Sequence, residues 1–168
     1  LRLIPGYDCF ATAGPGHYFD ETEAEFRIAF IETLKHVEGQ LAGKPFVLEP
    51  WQRAVVGGLF GWKRDDGARR FRELFLYVGR KNGKTPLAAG IANSIFFQDS
   101  EGGKVINCGA ADADQATHLF RHAWGMVSQN PQLSAMVQHY KSFRSMQSRA
   151  DEASVFKVIS AYGPGYQC

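Results

Sequence analysis

Cysteine is scarce in this chain: Cys9, Cys108 and Cys168 stand far apart, with no C-x-x-C among them. An odd, scattered set frames neither a disulfide scaffold nor a zinc site, and it fits a reducing compartment. Long apolar runs are lacking too. None approaches the roughly 20 residues that cross a bilayer, and no basic stretch at the N-terminus leads into an apolar one. A secreted or membrane-spanning protein is therefore not expected, and neither is a membrane partner. Charge of one sign is not in excess: 19 Lys and Arg stand against 17 Asp and Glu, a net +2. Affinity for a polyanion would have to come from a local group such as Lys63, Arg64, Arg69, Arg70 and Arg72. Internal repeats and low-complexity tracts are also missing.

What is present is an ordinary globular composition, 45% hydrophobic and 21% charged over 168 residues. A chain of this length can bury about 70% of its unfolded surface in one core. It begins at Leu1 rather than at Met and stops at Cys168 just after Gly163-Pro164-Gly165. Both ends read as cuts in a longer protein.

After a start rich in Gly and Pro, Asp20 with Glu23 three residues on suggests a capping box. Phe26, Phe30, Leu34, Val37 and Leu41 then recur at helical spacing, which predicts a helix to about Glu38 ending near Gly39. Gly43-Lys44-Pro45 makes the turn that follows. A second helix opens at Pro50, a residue suited to a first turn, with Trp51, Ala54, Val55 and Leu59 inward. Leu74 to Val78 is an apolar run of strand length without alternation, which predicts a strand buried on both faces. Beyond Gly79 to Gly83 a helix is expected with Leu87, Ala88, Ile91, Ala92, Ile95 and Phe96 in one stripe. Val105 to Cys108 reads as a strand, and a helix from about Asp112 or Asp114 buries Ala116, Leu119, Phe120, Ala123 and Val127. A short helix after Pro131 and a strand over Val155 to Ile159 complete an alternation that argues for an α/β sheet.

The segment between the first such strand and its helix is Gly79-Arg80-Lys81-Asn82-Gly83-Lys84-Thr85. A nucleoside triphosphate is held where successive backbone N–H groups converge on its oxygens and a helix N-terminus adds partial positive charge. In the pattern G-x-x-x-x-G-K-[ST] the lysine reaches the β- and γ-phosphates and the hydroxyl coordinates Mg²⁺. Lys84 and Thr85 fill those positions, with Gly83 before them. The pattern's first glycine would fall at Val78, whereas the chain has Gly79. The competing reading is a solvated basic turn; the strand-to-helix context favours phosphate.

From about Glu32 to Ile159 the chain resembles the large subunit of tailed-phage terminases. The resemblance is carried by Gly43-Lys44-Pro45-Phe46-Val47-Leu48-Glu49-Pro50-Trp51-Gln52 and by the loop Gly79 to Thr85. That family's phosphate loop often reads R-K-N-G-K-[ST], so the displaced first glycine strengthens the match. The resemblance implies an α/β P-loop NTPase-type fold, with a mostly parallel sheet flanked by helices, incomplete at the C-terminus and preceded by a helical segment. Residues 1–44 would be the irregular and helical N-terminal part, and 45–168 the first part of the ATPase domain, with the remainder and a nuclease domain outside the chain. It also implies an ATP-driven motor that moves double-stranded DNA into a procapsid in the cytoplasm of a bacterial host. Its partners would be portal protein and small terminase subunit, and the full-length protein would form a ring oligomer with Mg²⁺ and ATP as its cofactor pair. Gln52 corresponds to the family's adenine-contacting glutamine, and an amide can donate to and accept from adenine at once. The competing reading is a helix-surface Gln in an aromatic-rich docking segment. Arg80 and Lys81 resemble the basic loop residues that contact or sense the γ-phosphate, and Gly79, Asn82 and Gly83 complete the nucleotide-binding loop. Lys84 and Thr85 carry the catalytic assignment, Thr85 also as the Mg²⁺ ligand.

Hydrolysis needs an acidic pair, Asp for Mg²⁺ and Glu for the attacking water, which this family places after an apolar strand. No such pair follows a strand here. Asp151-Glu152 precedes one, and Asp112 is a minor candidate for the metal-binding Asp, so the pair is expected beyond Cys168. The segment Ala110 to Ala116 is read as structural. His118 and His122 stand four apart on one helix, but the sequence between them lacks the Glu of a zinc-hydrolase helix; ordinary exposed or half-buried histidines are the preferred reading. Trp51, Phe60, Trp62 and Trp124 are read as core rather than as base-stacking platforms. The alternatives kept open are a helicase-like P-loop ATPase and a nucleotide-holding assembly module without turnover. With so small a net charge, DNA binding by this chain should be weak and should fall as salt rises in a filter-binding titration; tight or sequence-selective binding would contradict the motor reading.

Overall fold

A computed structural model of the chain describes residues 8–110 and 113–160, of which Ala113 and Ser160 are described by backbone alone. Asp112, Ala111, Cys168 and the Gly163-Pro164-Gly165 turn lie outside the described residues. The chain divides into two compact units, Leu1–Thr33 with Pro45–Asn82, and Leu34–Lys44 with Gly83–Cys168.

In the first unit, β1 (His17–Phe19) pairs antiparallel with β2 (Trp62–Arg64) and brackets helices α1 (Glu21–Thr33) and α2 (Pro50–Gly61). The Asp20 carboxylate accepts from Glu23 N–H at 2.9 Å, as an N-cap should. The Glu23 carboxylate does not reach back to complete the box. It pairs with Arg27 Nε at 2.7 Å, and that guanidinium lies 4.9 Å from the Phe60 ring centre. The inward face of α1 is consequently Ala24, Arg27, Ile28 and Ile31, and Phe26 is 53% exposed. Leu34, just past the helix, is buried, but the expected stripe at Phe26 and Phe30 is rotated because a buried arginine, paired and stacked, takes a position that hydrophobicity alone would not give it. The helix stops at Thr33, short of Glu38. On α2, Ala54, Val55, Val56 and Phe60 are buried, and Trp51 and Leu59 are half-buried.

Leu74 to Val78 belongs to no strand, contrary to expectation. A doubly buried strand needs a ladder on each side, and no described residue supplies one. Phe75 and Tyr77 are 90% and 92% exposed as a result.

The second unit holds helix α3 (Lys84–Gln98), strand β3 (Val105–Ala110), helices α4 (Ala113–Ser128) and α5 (Pro131–Ala135), and strands β4 (Val137–Tyr140), β5 (Ser145–Ser148) and β6 (Val155–Ser160). The sheet runs β3-β6-β5-β4. β3 and β6 are parallel, with Cys108 beside Val158, and β5 pairs antiparallel with both β6 and β4. This is the expected α/β class. The hairpin of β4 and β5 was not legible, since Val-Gln-His-Tyr and Ser-Met-Gln-Ser carry little apolar alternation. Val137 and Met146 nevertheless face the core.

Helix α3 buries Leu87, Ala89, Gly90, Asn93, Ser94 and Phe96, not the predicted stripe in full. Asn93 donates to the Ala123 carbonyl of α4 at 3.0 Å, so a polar tie fixes the rotation of α3. Cys108 is buried and its thiol is pushed up to about 11, which makes it inert. The loop Leu34–Lys44 lies on α4. His36 N–H donates to Lys44 O and Gly43 N–H to His36 O, both at 2.9 Å, and Gln129 Nε2 donates to His36 O at 3.3 Å. Gly125 gives this loop its room: a Cβ there would stand 2.5 Å from Val37 Cγ1. Gly125→Ala gains up to about 1 kcal/mol of helix propensity but crowds a stiff β-branched side chain at a cost of about 1–3 kcal/mol. A net loss of stability is expected in chemical denaturation, and an unchanged midpoint would show that the loop does not rest on α4.

Candidate nucleotide site

Helix α3 begins at Lys84 because Gly83 takes the left-handed conformation, φ 69° and ψ 19°, which costs a glycine nothing. Gly83 O accepts from Leu87 N–H at 3.0 Å, the first turn of the helix. Glycine has no side chain to cap the helix, and no side-chain cap is formed. The first N–H groups of any helix lack an intrahelical acceptor, and here Pro86 has no N–H to place. The opening of α3 thus presents backbone donors and the positive end of the helix dipole. Thr85 is half-buried, and among the described residues its hydroxyl makes no hydrogen bond.

The preceding residues form a tight local turn. Asn82 Nδ2 donates to Gly79 O at 3.2 Å and to Arg80 O at 3.4 Å. Lys81 has φ 66°, a left-handed value that a non-glycine residue adopts only where the surroundings impose it. Gly79 leaves space for the Asn82 amide, which a Cβ would approach to 3.1 Å. The side chains of Arg80, Lys81 and Lys84 are exposed.

Gln52 sits at the third position of α2 and is 4% exposed. Its Oε1 accepts from Glu49 N–H at 2.9 Å, and the Glu49 side chain accepts in return from the Gln52 backbone, a reciprocal capping box. That role was missed although Glu49-Pro50-Trp51-Gln52 carries the signal. The carbonyl oxygen keeps a second lone pair and the amide two donors. Glu32 extends the same lock, accepting from Leu48 N–H at 3.1 Å and from Arg53 Nη1 at 3.0 Å.

The remaining candidates are largely committed elsewhere. Asp151 accepts from Gly103 N–H at 2.7 Å and from the Ser154 hydroxyl, and these bonds hold its carboxyl below the usual range, the Ser154 bond foremost. It fastens the turn before β6. In the basic group, Arg64 pairs with Asp66, and Arg70 donates to Cys9 O at 3.0 Å and to Thr12 O at 2.6 Å. Of the aromatics, Phe60 and Trp62 are buried, and Trp124 stacks on His139 at 4.0 Å. A depression of about 360 Å³ beside α2 is walled mainly by Ala54, Val55, Leu59, Leu74 and Leu76 and includes none of Gly79 to Thr85. Apolar walls without converging polar groups assign it no chemistry.

A family model described as the terminase large subunit ATPase domain matches residues 50–164. The chain belongs to this family. It is 34% identical over 119 residues to the terminase large subunit of Enterobacteria phage HK97, covering 69% of this chain and 22% of that protein. The crystal structure of the HK97 large terminase superposes with a TM-score of 0.70 at 28% identity, over 86% of this chain and 29% of that one. The chain therefore spans less than a third of the relatives it matches.

For this terminase domain, Gln52→Ala removes a helix cap worth about 1 kcal/mol together with an amide. A lower melting temperature is expected, with ATP affinity reduced more than that for inorganic tripolyphosphate in calorimetric titration. Equal effects on the two ligands would leave Gln52 a capping residue alone.

Proposed function

We propose that this chain binds ATP through Gly79 to Thr85 as part of the motor that drives double-stranded DNA into the procapsid. The observation that carries the reading is the uncapped, glycine-opened start of α3 bearing Lys84 and Thr85 in a member of the terminase ATPase family. Lys84 faces the β- and γ-phosphates, and Asn82, Gly83 and the first turn of α3 supply backbone donors. Arg80 and Lys81 raise the local positive potential where the γ-phosphate lies. Gln52 contacts adenine through the donors its capping bond leaves over. The free Thr85 hydroxyl fits Mg²⁺ as an oxygen ligand; the ion, when bound with ATP, neutralises charge on the β- and γ-oxygens. We take the ATPase portion as 45–168 and extend the reading to portal protein and small subunit as partners, a ring assembly, a nuclease domain and the cytoplasm of a bacterial host. No helix among the described residues is long and apolar enough to cross a membrane.

Turnover requires a carboxylate to orient water. Among the described residues none ends an apolar strand, and Asp151 is held by its own turn. The 168-residue chain is therefore expected to bind ATP without appreciable hydrolysis, and a longer chain carrying the acidic pair to be active. Lys84→Ala should abolish binding, measured by calorimetry with MgATP, while leaving the circular dichroism spectrum unchanged. Unaltered affinity in the folded variant would refute the site. Phosphate release that vanishes with Lys84→Ala would place the acidic residues inside this chain, Asp112 first.

A further inference from the structure

On α4, His118 and His122 stand one turn apart, and the loop over this face brings Glu38 to them. The three side chains present donor atoms that all lie within 4.8 Å of one another. His122 Nε2 is 3.1 Å from Glu38 Oε1, and the two imidazole centres are 5.0 Å apart. The histidine pair was visible in the sequence, but its acidic partner was not, because Glu38 is 80 residues from His118.

We propose that Glu38, His118 and His122 form a binding site for a borderline divalent cation of the Zn²⁺ or Co²⁺ type. Two imidazoles and a carboxylate are a recurrent three-ligand set for such ions. Metal–ligand bonds of about 2.0–2.2 Å at tetrahedral angles set ligands about 3.3–3.6 Å apart. The Glu38–His122 separation is already near that, and the third ligand, exposed His118, closes the rest by side-chain rotation.

The scaffold holding the ligands is built before any ion arrives. Glu38 has an extended backbone, φ −145° and ψ 171°, just before the 3-10 turn Gly39–Leu41. The backbone pair between His36 and Lys44, the Gln129 bond to His36 and the seat of Val37 on Gly125 hold its loop to α4. His122 is 4% exposed, and its Nδ1 is buried without a hydrogen-bond partner. The ring is thus fixed by packing and by Glu38, with its Nε2 aimed at the carboxylate. A cation there would clip the loop Leu34–Lys44 to α4 and keep its fourth position for water. Mg²⁺, which demands octahedral oxygen ligands, is the wrong ion, so the site is independent of nucleotide.

Zn²⁺ titrated into chelator-treated chain without nucleotide should bind at one equivalent and raise the melting temperature. Co²⁺ should give the visible absorption of a tetrahedral centre. His118→Ala and Glu38→Gln, both exposed and tolerant of change, should each weaken binding at least about tenfold and remove the thermal shift. His17→Ala and Lys84→Ala should leave both unchanged. Absence of a bound equivalent, equal binding by the His118 and Glu38 variants, or competition by millimolar Mg²⁺ would overturn the proposal.

Discussion

The start of α3 is the constraint on which the functional reading depends. A helix must begin with backbone N–H groups that have no intrahelical acceptor, and most helices meet this with a Ser, Thr, Asp or Asn cap. Among the α-helices whose caps are described, Asp20 accepts from Glu23, Asn130 from Gln132 and Leu133, and Glu49 with Gln52 closes a full box. At α3 a left-handed glycine stands in the capping position instead, followed by lysine, threonine and a proline that has no N–H. The absence of a cap there leaves the positive end of the helix for a ligand's oxygens.

Within each unit, polar locks rather than apolar area decide which residues face where. Arg27 is buried because Glu23 and the Phe60 ring satisfy it, Asn93 because Ala123 O accepts from it, and Gln52 because it closes its own helix end. A buried polar group without a partner costs about 1–3 kcal/mol, so each such pair holds its helix in one rotation. Gly125 acts by the opposite means, by lacking a side chain where Val37 must sit.

Much of the layout could be read directly. The helix opening at Pro50, the strands over Val105 to Cys108 and Val155 to Ile159, and the short helix after Pro131 were all legible, because proline punctuation and apolar runs act over a few neighbouring residues. The candidate loop from Gly79 to Thr85 is a contiguous motif and could be picked out for the same reason. The inward faces of α2 and α4 were read largely correctly, with Ala54, Val55, Ala116, Phe120, Ala123 and Val127 buried, but those of α1 and α3 were not. The stripe through Phe26 and Phe30, and Ala88 on α3, pointed the wrong way because an apolar stripe counts Arg27, Asn93 and Ser94 as outward. The run Leu74 to Val78 carried every mark of a buried strand, yet strand structure exists only with a neighbour to bond.

By itself the sequence pointed to the family, the α/β alternation and the Gly83-Lys84-Thr85 motif, since each rests on residues adjacent along the chain. Only the tertiary structure decided that Gln52 caps its helix, that Asp151 and Arg70 are spent on backbone groups, and that Glu38 meets His118 and His122. Such assignments depend on which distant groups satisfy one another's hydrogen bonds and charges, and spacing along a chain does not encode that.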